Sequence, residues 1–490
     1  MDGSARSECL PGTRVDLLNS ITHWVYFRPE QRVLWLHGLA GSGKSTIATT
    51  VANLFRRQNR LGAFLFFNRD VAELSQPGNV IRTLAYWLGS FDPHIGTAIT
   101  AVMERIPSIV QSPIQFQFGK LLLEPLTQVP PAKFPLVLVL DALDECGTAQ
   151  ERIHLLAVLA AESVNLPAYI RIIITSRAES DIRRAFAPQQ HVLTHKLDLA
   201  PTKDILSFVQ HRMAHIRSAN SLLLEIHWPG DQAIEALVRR AAGLFIWAAT
   251  ACRFIDGHDP RRRLNLLLRG DINGNTELAL DALYKTALRS IGMWDDEDFV
   301  ADFRTIMGAI LVAKNPLSAS AIDSLLCLDR PSSLTISRMG CLLNWQESQP
   351  IRILHPSFSD FLSDNLRCGT DSWHIDTKIY NQHFSMRCVR YLNNTLTKNI
   401  CQLALGTAEV RVNLPEALSY AAKSWISHIC MMGCADEAVA DELEEFLFRH
   451  LLHWLEVMSI LKQSRTTIAS MRHFLEWLQV HILTLMTLCC

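Results

Sequence analysis

Residues 33–46, VLWLHGLAGSGKST, carry an apolar stretch into three closely spaced glycines and out again into a helical pattern. No other feature of the chain restricts its fold as strongly. Gly38 is followed by four residues and then by Gly43, Lys44 and Ser45, and beyond them Ile47, Ala48, Val51, Ala52, Leu54 and Phe55 recur at helical spacing. The pattern is G-x-x-x-x-G-K-[ST], and the strand before it and helix after it give it physical content. Glycines let the backbone wrap phosphates with its N–H groups, and the helix dipole favours the anion. Gly38, Leu39, Ala40, Gly41, Ser42, Gly43, Lys44, Ser45 and Thr46 are therefore expected to form a phosphate cradle. Lys44 would reach the terminal phosphates and the Ser45 hydroxyl would ligate Mg2+. The plainer reading is a glycine-rich turn with a surface lysine, and the flanking strand and helix speak against it.

Around this loop, short apolar runs alternate with longer amphipathic ones, the pattern of a parallel sheet with helices on both faces. Strands are expected at Val33 to His37, Ala63 to Phe67, Leu136 to Leu140, Ile170 to Thr175 and His191 to Leu197. Helical patterns cover Thr46 to Arg57, Gly78 to Gly89, Ile114 to Gln128 and Ala149 to Ser163. After about Pro201 the strand signals stop and helical periodicity takes over, first in Thr202 to His215 and then in Asp231 to Ile255. From Asp298 to Asp364 the order is helix, a Pro-Leu-Ser start signal, a second helix and two short apolar runs, which suits a winged helix. The fold class expected is an α/β P-loop NTPase domain followed by a helical domain, a winged-helix domain and an all-α C-terminal region. The boundaries are 1–32 for a lead-in, 33–200, 201–296, 297–366 and 367–490.

Two further strand ends carry polar groups. The run Leu136 to Leu140 delivers Asp141, Asp144 and Glu145 at its C-terminal end, the edge at which open α/β sheets bind ligands. Asp141 is expected as an outer-sphere magnesium partner, and Asp144 or Glu145 as the general base that orients an attacking water. Alone, such an acidic strand end reads equally well as a solvated turn; after a phosphate loop it is far more specific. The run Ile172 to Thr175 ends in Ser176-Arg177, and Arg177 is placed to sense a γ-phosphate. Arg69 is a weaker analogue whose ion pair with Asp70 explains it equally well.

Composition narrows the field. Lys plus Arg (47) almost cancels Asp plus Glu (48), so no global field favours nucleic acid or a membrane surface. The 12 cysteines are scattered through 490 residues, a usage that reads as reduced thiols in a cytosolic or nuclear compartment, and a cytoplasmic setting is expected. The longest apolar stretches, Ala241 to Cys252 and Ile482 to Cys490, fall short of the roughly 20 residues that span a bilayer. His211 and His215 have the i, i+4 spacing of a metal pair, but no Glu follows His211, and a solvated helix face is the better reading. The segment Ser318 to Arg338 lacks the basic character of a DNA-recognition helix.

GLAGSGKST, LVLVLDALDEC and RIIITSR, in this order and spacing, resemble the NACHT domain of the STAND class of P-loop NTPases, and most of all its fungal group. CLPGTRVDLLNSITHW, GLFIWAATA and LHPSFSDFL extend the resemblance over roughly residues 9 to 366. It implies a nucleotide-binding, a helical and a winged-helix domain that close on ADP and open with ATP to self-associate, usually in defence, incompatibility or cell-death signalling with protein partners. It also implies that His355 contacts the β-phosphate of the diphosphate, although Pro356-Ser357 rather than an acidic residue follows it. The family's Gly-x-Pro motif is represented here by Gly243-Leu244-Phe245. No Asn-Lys-x-Asp specifies the base, so ATP/ADP and GTP/GDP both stay open. The expected function is a slow NTPase switch; the competing reading is a nucleotide-binding scaffold or a truncated family member without signalling output.

Overall fold

The computed structural model describes residues 7–28, 30–69, 71, 75–130, 133–269, 276–369, 371–401, 414–432 and 437–488. They form two compact units, 1–283 and 284–490. In the first, strands β1 (Val33–His37), β2 (Leu61–Phe66), β3 (Leu136–Asp141), β4 (Ile170–Ser176) and β5 (Val192–Lys196) make one parallel sheet in the order β2-β3-β4-β1-β5.

Alternation along the strands explains why both faces are covered. Val33 and Trp35 of β1, with Leu136, Leu138 and Leu140 of β3 and Ile170, Ile172 and Ile174 of β4, enter one apolar core. Leu34 and Leu36, with Val137, Val139 and Ile173, enter the other. Fully burying each such side chain contributes about 1.5–3 kcal/mol, so a sheet with two apolar faces is stable only between two helical layers. The first core packs against helices including Val80–Phe91, Pro93–Arg105 and Ile153–Ala161; the second packs against Val15–Phe27 and Lys44–Arg57. Only β5, at the sheet edge, exposes Thr194, His195 and Lys196.

The five expected strands are present with ends shifted by a residue or two. Among the described residues of 1–200, three α-helices have no counterpart in the helical patterns of the sequence, one of them Ser180–Phe186. Val15–Phe27 occupies the lead-in, and Pro93–Arg105 begins at Asp92, whose carboxylate accepts from the His94 N–H with Pro93 in the first turn. The helix expected over Asp231 to Ile255 is two, Asp231–Ala241 and Phe245–Ile255. Successive left-handed residues, Ala242 (φ 44°) and Gly243 (φ 78°), end the first as a C-terminal glycine cap does. The pattern over Ile114 to Gln128 is helical throughout but contains a π-turn at Gly119–Leu123.

In the second unit the helices Glu297–Val312, Ala319–Leu326 and Ser333–Ile336 precede an antiparallel pair, Leu343–Asn344 with Arg352–Ile353, and then the helix Pro356–Ser363. From Thr377 onward the described residues are helical or irregular, with Thr377–Thr395, Glu416–Ile429, Leu451–Ile460 and Ser464–Leu488 the long helices. Trp425 is buried against Phe446, Trp454 and Phe474 at their centre. Among the described residues no helix is long and apolar enough to cross a membrane.

Candidate functional site

The glycine-rich loop leaves the C-terminal end of β1 and delivers its chain to the helix Lys44–Arg57. Gly41 (φ 75°) and Gly43 (φ 94°) hold left-handed conformations that a side chain would strain. The Gly38 N–H donates to the Ser176 carbonyl of β4, and the Ser42 hydroxyl donates to the Leu39 carbonyl (2.9 Å). Half-buried Lys44 folds over the loop, its Nζ donating to the carbonyls of Gly38 (2.9 Å) and Leu39 (2.8 Å). Burial pulls the Lys44 ammonium below its ordinary range; Asp144 acts against this, Arg177 adds to it, and Asp141 and Glu145 again oppose it. Those four residues come from the ends of β3 and β4, so the order of the sheet sets their charges around one lysine.

The acidic turn is built by its backbone. Asp141 ends β3 fully buried, and its carboxylate accepts from the Thr175 hydroxyl at 2.5 Å, while the same hydroxyl accepts from the Ala142 N–H at 3.0 Å. Ala142 adopts φ 61°, which turns the chain sharply into the 3-10 turn Leu143–Glu145. Asp144, buried, accepts from the Arg177 N–H (3.0 Å) and pairs with the Arg177 guanidinium (3.4 Å). Glu145 is less buried and lies 3.4 Å from the Arg69 N–H; Asp70 is outside the described residues. The Ser45 hydroxyl and the Asp141 carboxylate are hard oxygen donors of the type Mg2+ prefers.

Two contributors had no signal strong enough to single them out. Arg14, in the lead-in, is buried, and its guanidinium donates to the carbonyls of Ser42 (3.0 Å) and Asp198 (3.2 Å). Its own N–H is held by Asp204 at 2.9 Å. Arg14 thus ties the glycine-rich loop to the start of the helix Thr202–Ala219. Ile246 donates its N–H to the Gly41 carbonyl at 3.2 Å, and Phe245 packs beside Gly43 with the Arg14 guanidinium 5.7 Å from its ring centre. The GLFIW segment therefore lies directly on the loop.

A Cβ at Gly41 would sit 1.9 Å from Cγ2 of Ile246. Gly41→Ala is expected to cost about 2–4 kcal/mol, combining left-handed strain with overpacking of a β-branched neighbour. Adding Ile246→Ala should recover the packing part alone. Denaturation midpoints of the three proteins check this, and equal midpoints for the single and double variants would show that Ile246 does not press on the loop.

His355 lies in the second unit, where it caps the helix Pro356–Ser363: its Nδ1 accepts from the Ser357 N–H at 3.1 Å and lies 2.7 Å from the Ser357 hydroxyl. That hydroxyl also meets the Tyr284 hydroxyl at 2.8 Å. His211 and His215 are both exposed on their helix.

Residues 12–177 match the family model described as Nephrocystin 3, N-terminal. The Vegetative incompatibility protein HET-E-1 of Podospora anserina is 24% identical over 480 residues, covering 88% of this chain and 34% of that protein. The chain thus spans about a third (34%) of the length of this relative. Among solved structures, the Signal Transduction ATPase with Numerous Domains protein with a tetratricopeptide repeat sensor from Pyrococcus horikoshii is similar at a TM-score of 0.45 and 13% identity, covering 97% of this chain and 58% of that one. Cdc6p from Pyrobaculum aerophilum is similar at 0.34 and 12%, covering 78% and 96%.

Proposed function

We propose that this chain, which belongs with the NACHT-type P-loop NTPases of the STAND class, is a nucleoside-triphosphate-driven signalling switch with slow hydrolysis. The observation that carries the reading is the convergence on Lys44 of Asp141, Asp144, Glu145 and Arg177 from separate strand ends. On this reading the loop N–H groups and Lys44 bind the phosphates, and Arg177 shares itself between Asp144 and the γ-phosphate. Ser45 and Asp141 would hold Mg2+, which, when bound, supplies charge neutralisation at the phosphates. Engagement of both Asp144 carboxylate oxygens by Arg177 supports Glu145 as the group that accepts the proton of the attacking water.

The diphosphate would favour a closed state and the triphosphate an open one that self-associates and recruits protein partners. His355, within a winged-helix domain over residues 297–366, would contribute a diphosphate contact made only in the closed state. Such a contact shifts the equilibrium by its differential affinity, about 1–3 kcal/mol.

Glu145→Gln tests the hydrolytic assignment, because the amide keeps the shape but cannot accept a proton. Single-turnover phosphate release should fall by about 10²-fold with triphosphate affinity retained. Loss in Asp144→Asn with no loss in Glu145→Gln would move the base to Asp144. Unchanged release in both would remove the role from this turn.

A further inference from the structure

We propose that Arg152 is a positioning residue for hydrolysis, holding the Asp144–Glu145 turn in register with the segment that carries Arg177. The proposal rests on the hydrolytic reading above and adds a residue that no strand-end motif points to. Arg152 is 2% exposed, immediately before the helix Ile153–Ala161. Its guanidinium spans two separate strand-end segments. On the β3 side, Nη1 donates to the carbonyls of Asp144 (2.9 Å) and Gly147 (3.2 Å). On the β4 side, Nε donates to Asp181 (2.6 Å) and Nη2 to Glu179, both just beyond Arg177.

A buried guanidinium is costly unless its donors are met, and here they are met by the two segments whose side chains form the Asp144–Arg177 pair. Burial opposes the charge, yet Asp181 and Glu179 hold the Arg152 pKa above its ordinary value, so the bridge is charged throughout the physiological range. The planar fork is what the geometry uses. Four acceptors on two segments are bridged by one rigid group, whereas a lysine at this position is a single point charge on a flexible stem. Arg152 is itself directed at carbonyls and carboxylates of the protein, and so acts on the reaction through the placement of Asp144, Glu145 and Arg177.

The experiment compares wild type with Arg152→Lys, Arg152→Gln and the milder Asp181→Asn in the full chain. Three quantities are read: triphosphate affinity by titration, single-turnover phosphate release, and amide exchange by mass spectrometry. The expected result is a fall in release of at least about 10-fold in both Arg152 variants, as small misplacements of reacting groups produce, with affinity within about 3-fold of wild type. Asp181→Asn should fall less, in the same direction. Exchange should rise in residues 142–147 and 177–181 and stay unchanged in residues 33–57. Unchanged release in an active wild-type background overturns the role of Arg152 alone. Parallel loss of affinity, release and protection over the whole first unit in all three variants also overturns it, because Arg152 would then be structural cement. A wild-type protein that binds triphosphate but releases no phosphate sinks the hydrolytic reading and this proposal together.

Discussion

Lys44→Ala is expected to lower triphosphate affinity by at least about 10²-fold, the scale of one charge-assisted contact of some 3 kcal/mol removed from a phosphate site. The lysine opens its helix from a loop that two left-handed glycines shape, so its ammonium is held at the loop by geometry. Its bonds to the Gly38 and Leu39 carbonyls show that Nζ reaches across the cradle. Removing it leaves the loop conformation to Gly41, Gly43 and Arg14, so the fold should be retained. Calorimetric titration with ATP and GTP, beside a melting curve, checks both parts. Affinity equal to wild type for either nucleotide would refute the phosphate assignment.

Acidification from pH 7 to pH 5 is expected to weaken the second unit by about 2 kcal/mol, with the loss reaching about 4 kcal/mol at pH 3. The cause is His428, fully buried in the helix Glu416–Ile429. Its Nε2 lies 2.8 Å from the Tyr420 hydroxyl and its Nδ1 2.8 Å from Asn381 Oδ1, while Asn381 Nδ2 donates to the His428 carbonyl at 3.1 Å. That leaves Asn381 Oδ1 to accept from Nδ1–H and Nε2 to accept from the tyrosine. The Tyr420 oxygen in turn accepts the Lys314 N–H at 2.9 Å. Each partner is met with a neutral imidazole. Burial first, and the Lys314 charge second, lower the His428 pKa from 6.5 to about 3. The unfolded chain therefore takes up a proton that the folded one refuses. Stability from this group is complete above about pH 6.5 and is lost as the pH falls towards 3. Urea midpoints at pH 7 and pH 5 for wild type and His428→Gln provide the measurement. The variant should be weaker at pH 7 and change less with pH, and an equal pH dependence in both would assign the acid sensitivity elsewhere.

Much of the candidate site was legible because its signals are local. A glycine pair with Lys44 and Ser45 between a strand and a helix, and carboxylates or an arginine at the ends of apolar runs, occupy a few consecutive residues each. The five strands were equally legible, since burial on both faces demands nearly continuous apolar runs. The cap that opens Pro93–Arg105 is also written in consecutive residues, Asp92 and Pro93. The break between Asp231–Ala241 and Phe245–Ile255 was less visible, since Gly243 ends the helix together with Ala242, a residue whose intrinsic preference is helical.

By itself, the sequence determined the period and polarity of the elements and the chemical identity of the groups at the strand ends, because backbone conformation and side-chain type act over one to four residues. Tertiary structure decided which ends meet. The order β2-β3-β4-β1-β5 sets β4 between the glycine-rich loop and Asp141, so that Thr175 bonds Asp141 and Arg177 bonds Asp144. It also decided that Arg14 and Ile246 hold the loop and that Arg152 bridges two turns. Along the chain none of the three sits in a motif that states its role. What assigns their roles is desolvation: a buried guanidinium or N–H must find its acceptors in whatever carbonyls and carboxylates the fold brings alongside, and those acceptors lie up to 190 positions away in the chain.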